Sequence, residues 1–321
     1  MSYRQKDGTF LPDVLLKIKP PKSYEYLIMH CSNYASGALS MLDQDFDFQS
    51  TYFDAFLDAE YLDRWLKQRS FSRPWEESNN IVNVASYLAM CNDAGDGQGR
   101  ERLYQMLEWH NEYQNSKTGG FDNFLSASRK NIRQSMAGAV HNFHIHHYLG
   151  EPIRFEDLIA TNVTEFLFEG PLTACLSIDF VELACHTLQY VENKGEVVSS
   201  LLCHLDSLLN YQNEDGGWFE AAASGRPTSA NGMRETQASS CSYATWFRLV
   251  SIGMIEQTCL DNSGSWNYRD TLGMGAFWGG KQAGSPDFPL VISNVAKRKF
   301  LRKSLGGRAK ERAIEFAAKL M

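Results

Sequence analysis

Aromatic or glycine-rich turns recur along this chain at a near-constant interval, and that period limits the possible folds more than any other feature. The landmarks are Ser-Arg-Pro-Trp75, Thr-Gly-Gly-Phe121, Glu-Gly-Pro-Leu172, Asp-Gly-Gly-Trp218 and Ser-Gly-Ser-Trp266, spaced by 46, 51, 46 and 48 residues. A repeat of this size holds two helices of about 17 residues and two short connections. Segments 52–69, 99–116, 154–169 and 196–213 put apolar residues on one face and charge on the other, as Leu103, Met106, Leu107 and His110 illustrate. Segments 77–93, 131–149, 177–193 and 238–256 are apolar nearly all round, as in Ile81 to Met90 and Tyr243 to Phe247. A helix that is apolar on every side must be buried on every side. The alternation predicts an all-α, single-domain α/α toroid, with an inner ring of buried helices inside an outer ring of amphipathic ones. The domain covers 1–321, with a repeat core of about 50–270; residues 1–50 and 270–321 complete or cap the ring. Pro152 after Gly150 and Gly195 after Asn193 serve as helix stop signals.

Charge and composition remove several function classes. The net charge is −7, and eight Lys or Arg fall between Lys297 and Arg312, so the rest of the chain is more acidic still. A nucleic-acid-binding body would be basic, so no nucleic-acid partner is expected. No run reaches the roughly 18 apolar residues of a membrane span. The opening Met1-Ser-Tyr-Arg-Gln-Lys-Asp lacks the apolar stretch of a secretory signal. Seven scattered cysteines with no Cys-x-x-Cys read as reduced thiols, so a cytoplasmic location is expected. Lys297 to Lys303 mixes a basic run with Phe300 and Leu301. It is either a peripheral contact with anionic lipid or a solvated tail.

The landmark loops share more than spacing. Tyr211-Gln212-Asn213-Glu214-Asp215-Gly216-Gly217-Trp218 resembles the QW repeat, Q-x(2–5)-G-x-W, of squalene–hopene cyclases and protein prenyltransferase β-subunits. Gln114 to Phe121 is similar with Phe for Trp, and Gln257 to Trp266 is a looser copy. In such a loop Gln is expected to cap the outer helix's carbonyls, Gly to supply a positive-φ turn and the aromatic to pack under the next helix. The resemblance spans about residues 50–270 and implies the toroid, a fold that hosts many functions. Prenyltransferase zinc sits on an Asp-x-Cys pair, and Asp179 with Cys185 has the wrong spacing, so no metal is expected. Class II terpene cyclases protonate an alkene with the middle Asp of Asp-x-Asp-Asp. Here Ser177-Ile178-Asp179-Phe180 keeps only that middle acid. The resemblance implies a cyclase, without cofactor, acting on an apolar isoprenoid or meroterpenoid in an aromatic-lined central cavity. No Mg²⁺-binding DDxxD lies in a suitable place.

Asp179 is the candidate catalytic acid. Read as first-turn, it would be held as an anion by the helix N-terminus, with a lowered pKa. The alternative is a helix-start residue satisfying backbone N–H groups. Trp75, Phe121, Trp218, Tyr243 and Trp246 are candidate substrate contacts, because aromatic faces stabilise cations; packing is the alternative role for Trp75 and Trp218. Glu77 and Glu235 are candidate second carboxylates, and Arg226 and Arg234 mark the long loop Glu220–Gln237 as either a binding loop or solvated surface. His141, His144, His146 and His147 have helical spacing but no signalled third ligand. They are read as helix-end histidines favoured by the dipole, with His141 partly buried. Two other classes remain open: a carbohydrate-active toroid hydrolase or lyase using paired carboxylates, and a non-catalytic binding scaffold.

Overall fold

Helix-start and helix-stop chemistry sets the element boundaries. In the computed structural model, residues 4–12, 23–41, 50–169, 172–220, 229–230, 233–234, 240–260 and 272 are described. Among them the chain is mostly helical: α1 (Tyr24–Met41), α2 (Thr51–Asp54), a 3₁₀ turn (Ala55–Leu57), α3 (Ala59–Leu66), α4 (Pro74–Asp93), α5 (Gly97–Asn111), α6 (Arg129–Leu149), α7 (Glu156–Phe168), α8 (Ala174–Thr187), α9 (Lys194–Asn210) and α10 (Ser242–Cys259). One antiparallel ribbon pairs β1 (Ser229–Ala230) with β2 (Met233–Arg234). No helix among the described residues is long and apolar enough to cross a membrane.

Segment 52–69, expected to be one helix, is broken. Asp58 takes an extended conformation and accepts from the Tyr61 N–H, which starts a new helix after the 3₁₀ turn. Pro74 opens α4 at its first position, and Ser128 caps α6 through the Asn131 N–H. Gly150, at φ 74°, closes α6, with the Glu151 N–H returning to the His146 carbonyl. α8 begins earlier than expected. Thr173 caps it through the Leu176 N–H, and it ends at Thr187 rather than 193.

Burial alternates along the chain as the apolar patterns predict. Thirteen of the fourteen residues of α8 are buried, Cys175 being the exception. Only seven of the seventeen residues of α9 are, and these form one stripe from Val197 to Leu208. The chain divides into two compact units, within α7 at Asn162–Val163. The first holds α1 to α6 and the ribbon; the second holds α8 to α10.

The buried helices of each unit run parallel. In the first, Gly138 of α6 lies against the Pro74 carbonyl, 2.6 Å from where a Cβ would stand. Ten residues on, the Tyr148 hydroxyl donates to the Ala89 carbonyl (3.2 Å) near the end of α4. In the second, Arg248 Nη2 donates to the Leu172 carbonyl at the start of α8, and the Cys185 thiol faces the Met254 carbonyl near the end of α10. Parallel neighbours require a return helix between them, which α5 and α9 supply.

The two full landmark loops are built alike. Gly119 and Gly216 both sit at φ 84°, which an L side chain rarely adopts. Asn115 N donates to the Gly120 carbonyl and Asn213 N to the Gly217 carbonyl, each at 2.8 Å. The glutamines do not cap the outer helices. Gln114 Nε2 donates to the Gly119 and Arg154 carbonyls, and Gln212 Nε2 to the Gly216 carbonyl, so each closes its own loop. Trp218 does the capping instead, its indole N–H reaching the Leu208 carbonyl at 2.8 Å. A serine on the next buried helix or just before it receives each loop. Ser135 donates to Asp122, and Ser240 donates to Asp215 at 2.5 Å. Ser240 and the Gly217 N–H hold the Asp215 carboxyl below the usual range.

The first unit carries a neutral polar interior. Asn33 Nδ2 donates to Asn83 Oδ1 at 2.9 Å. His110 and His146 stack with Nε2 atoms 3.4 Å apart, and His146 Nδ1 lies 2.9 Å from the Pro152 carbonyl. That carbonyl can only accept, so His146 is protonated on Nδ1 and its Nε2 accepts from His110. His141, His144 and His146 are buried, which corrects the expectation of helix-end histidines favoured by the dipole. Burial lowers His146 to about 4 and pushes His110 and His141 well below the usual value.

Two outcomes are expected. Gly120→Ala would place a Cβ 2.3 Å from Ser135 Oγ and should destabilise by ~1–3 kcal/mol in urea. Gly97→Ala, with nothing within 4 Å, should be neutral or stabilising. The second concerns acid. A histidine whose folded pKa is depressed contributes stability above its unfolded pKa, lost as pH falls through the folded value. For His146 the window runs from 6.5 to about 4 and is worth roughly 3 kcal/mol. Urea midpoints should fall steeply across it, and His146→Asn, which keeps an N–H for Pro152, should flatten the slope while lowering the midpoint at pH 7.

Candidate functional site

Polar residues on a fully buried helix must be satisfied or be there for chemistry. On α8, Cys175, Asp179, Glu182 and His186 recur at i, i+4, i+7 and i+11, which places them in one stripe. Ser177 lies on the opposite face, where its hydroxyl shares a 2.6 Å hydrogen bond with His204 Nε2 of α9. Asp179 is 1 % exposed, and its Oδ2 has no hydrogen-bond partner.

The environment of Asp179 reverses the expected direction of its pKa. The carboxyl is in the second turn of α8, past the Thr173 cap, so it satisfies no helix-start amide. Burial raises its pKa well above the ordinary range, and the charges of Glu182 and Glu220 raise it further. Both effects favour the neutral, protonated form of Asp179 over its anion. Glu182 Oε1 lies 3.8 Å from His186 Nε2.

Glu220 comes from the segment after the landmark Trp218. Its carbonyl accepts from Ala174 N at 3.1 Å, and its carboxylate faces Cys175 N at 3.5 Å. The Cys175 thiol, half-buried at the end of the stripe, is hydrogen-bonded by the Tyr243 hydroxyl of α10. Burial, with Asp179 and Glu220, pushes this thiol well up, so it is not a ready nucleophile. Arg248, also on α10, is buried beside His204, where burial and the guanidinium lower the imidazole to about 3.

The other sequence candidates are distributed as follows. Trp246 is half-buried, its ring 4.8 Å from Phe247, which Tyr243 also meets edge-on at 4.5 Å. Trp218 and Phe121 are buried, Phe121 among His110, Phe143 and Phe71. Trp75 is half-buried at the start of α4 in the first unit. Glu77 is in that unit too, 3.4 Å from Arg69 Nη1, with burial raising its pKa against the pull of Arg69. Arg234 belongs to β2; Glu235, Arg226, Trp266 and the basic 297–312 segment lie outside the described residues. Cys175, Glu182, Glu220, His204 and Arg248 were not singled out from the sequence. The helical spacing of Cys175, Asp179, Glu182 and His186 was the available signal; nothing local marks Glu220.

Among the described residues, no group of three or more His, Cys, Asp or Glu is placed to hold a metal ion. No family model, curated protein or solved structure matches the chain.

The raised pKa of Asp179 has a stability consequence. A group whose folded pKa lies above its unfolded value favours the fold at low pH, and that contribution is lost as pH rises through the folded pKa. Asp179→Asn should therefore be at least as stable as wild type at pH 7, with the difference vanishing toward pH 4. Paired urea titrations at the two pH values measure it.

Proposed function

We propose that this chain is an α/α-toroid enzyme resembling class II terpene cyclases, which starts cyclisation of an isoprenoid or meroterpenoid by protonating an alkene from Asp179. The observation that carries the reading is a buried carboxyl whose Oδ2 has no hydrogen-bond partner and whose burial favours the protonated form. Parallel buried helices alternating with one-sided return helices support the toroid, as do two landmark loops of the same build.

In the initiating step the Asp179 O–H bond breaks and a C–H bond forms at one alkene carbon, leaving a cation at the other and a carboxylate on Asp179. A raised proton affinity opposes this transfer. The cation appears near the negative charges of Glu182 and Glu220, and attraction in a water-poor site offsets that opposition. Tyr243, Trp246 and Trp218, in the same unit as Asp179, are the aromatic candidates for contact with the substrate, each able to stabilise a cation by ~0.5–2 kcal/mol. No cofactor enters this chemistry. An apolar substrate fits a peripheral membrane contact through 297–303 of a cytoplasmic protein.

The carbohydrate reading is favoured by one observation, a carboxyl shifted toward its protonated form with two further acids acting on it, the pairing that glycoside hydrolysis uses. A panel of linear polyprenyl substrates and oligosaccharides, assayed by mass spectrometry in D₂O, separates the two. The cyclase should yield a cyclised isomer carrying one deuterium, and Asp179→Asn should lower turnover ~10²- to 10⁴-fold. Glu77→Gln should change little, given its pairing with Arg69. Oligosaccharide cleavage in which Glu182→Gln or Glu220→Gln is as damaging as Asp179→Asn would replace the cyclase reading. Wild-type turnover in folded Asp179→Asn would end it.

A further inference from the structure

The segment Trp218–Glu220 is fixed at both ends by the starts of two buried helices. Trp218 N donates to Thr245 Oγ1 of α10 at 3.0 Å, and the Trp218 carbonyl accepts from Cys241 N at 2.9 Å. Two residues later the Glu220 carbonyl accepts from Ala174 N, and its carboxylate turns to the amide of Cys175, one helical turn before Asp179. The landmark loop thereby delivers an acidic side chain to the stripe.

We propose that Glu220 is a positioning residue of this site: with its carbonyl on the Ala174 amide and its carboxylate on the Cys175 amide, it sets the charge around Asp179 and favours a proton there. The inference rests on the reading of Asp179 as the acid. Two like charges in a water-poor space cannot both be held cheaply, so the anion that accepts from the Cys175 amide favours a protonated neighbour. Cys175, Glu182 and His186 face the same side from α8 itself. From α10, Tyr243 meets Cys175, and Arg248 donates to the Leu172 carbonyl. From α9, His204 is engaged with Ser177 on the opposite face. Glu220 and Glu182 are the two acids whose fields act on Asp179.

The test reads protonation rather than turnover. Infrared difference titration of the full chain follows the C=O stretch of the protonated carboxyl, assigned by its loss in Asp179→Asn. Glu220→Gln keeps an acceptor for the Cys175 amide and removes the charge. It should lower the pH at which Asp179 ionises by one unit or more, a tenfold or larger drop in proton affinity, whereas Glu220→Asp should stay within half a unit of wild type. Alkylation at Cys175, mapped by mass spectrometry against pH, gives a second readout, because Glu220 acts on that thiol too. In Glu220→Gln the alkylation midpoint should move to lower pH. An unchanged Asp179 midpoint in folded Glu220→Gln overturns the proposal, as does an equal shift in Glu220→Asp. Should Glu220→Gln fail to fold, Glu220→Asn decides: an Asp179 midpoint lowered by a unit supports the role and one held at the wild-type value overturns it. Loss of the Glu220 effect in an enzyme that still needs Asp179 removes only Glu220's role. Full turnover in Asp179→Asn removes the acid reading, whatever the titration shows.

Discussion

The landmark loops hold this structure together because a helix buried on every side has its ends buried too. The first amides of such a helix have no intrahelical partner and no water to turn to. At the second full landmark the loop answers that need twice. Its backbone accepts from Cys241 N beside α10 and from Ala174 N at the start of α8. The positive-φ glycine lets the chain reverse sharply enough to reach both, and the second glycine lets it approach Ser240 within a distance that a side chain would block. Helix-end satisfaction and delivery of Glu220 to the polar stripe are the same piece of backbone geometry.

Much of the helical framework is legible in the sequence, because hydrophobic periodicity records one-sided or all-round burial directly. The aromatic spacing finds the loops, and the patterns of Ile81 to Met90 and of 196–213 separate the two kinds of helix. Details that depend on a competing hydrogen-bond partner are not legible. Gln114 and Gln212 turn to their own loop carbonyls, and at the second landmark Trp218 reaches the helix-end carbonyl of Leu208 instead. Asp58 breaks segment 52–69 since a side-chain acceptor in extended conformation competes with helix continuation.

The candidate site shows the same division. Asp179 and its stripe are encoded by spacing within one helix, but the sign of its perturbation is not. A one-residue reading places the carboxyl at the helix start, where the dipole would stabilise its anion. The cap falls on Thr173 instead, which moves Asp179 a turn deeper, and Glu220 arrives from 41 positions along the chain. The histidines err in the same direction. Their helical position suggests histidines favoured by the dipole, while packing of His146 against Phe121, Phe143 and His110 lowers its pKa. Local rules favour the charged form in both cases, and burial by distant segments reverses them.

Asp122 and Asp179 separate a buried carboxylate saturated with donors from one that is not. Asp122 is 4 % exposed and accepts from Asn115 Nδ2, Thr118 Oγ1, Ser135 Oγ and the Phe124 N–H. Its lone pairs are occupied, so a proton or a substrate must first displace a donor, and the group can only stitch its loop to α6. Asp179 is buried at least as deeply, yet Oδ2 accepts nothing, and its field comes from other acids rather than from donors. Folding gains nothing from such a carboxyl: an apolar side chain would pack there without the desolvation penalty. On the opposite face of the same helix, Ser177 and His204 show that the fold can pair a buried polar group when pairing is all that is needed. An uncompensated acid beside a compensated pair is therefore a strain confined to one stripe of α8, and it is this strain on which the proposed proton transfer rests.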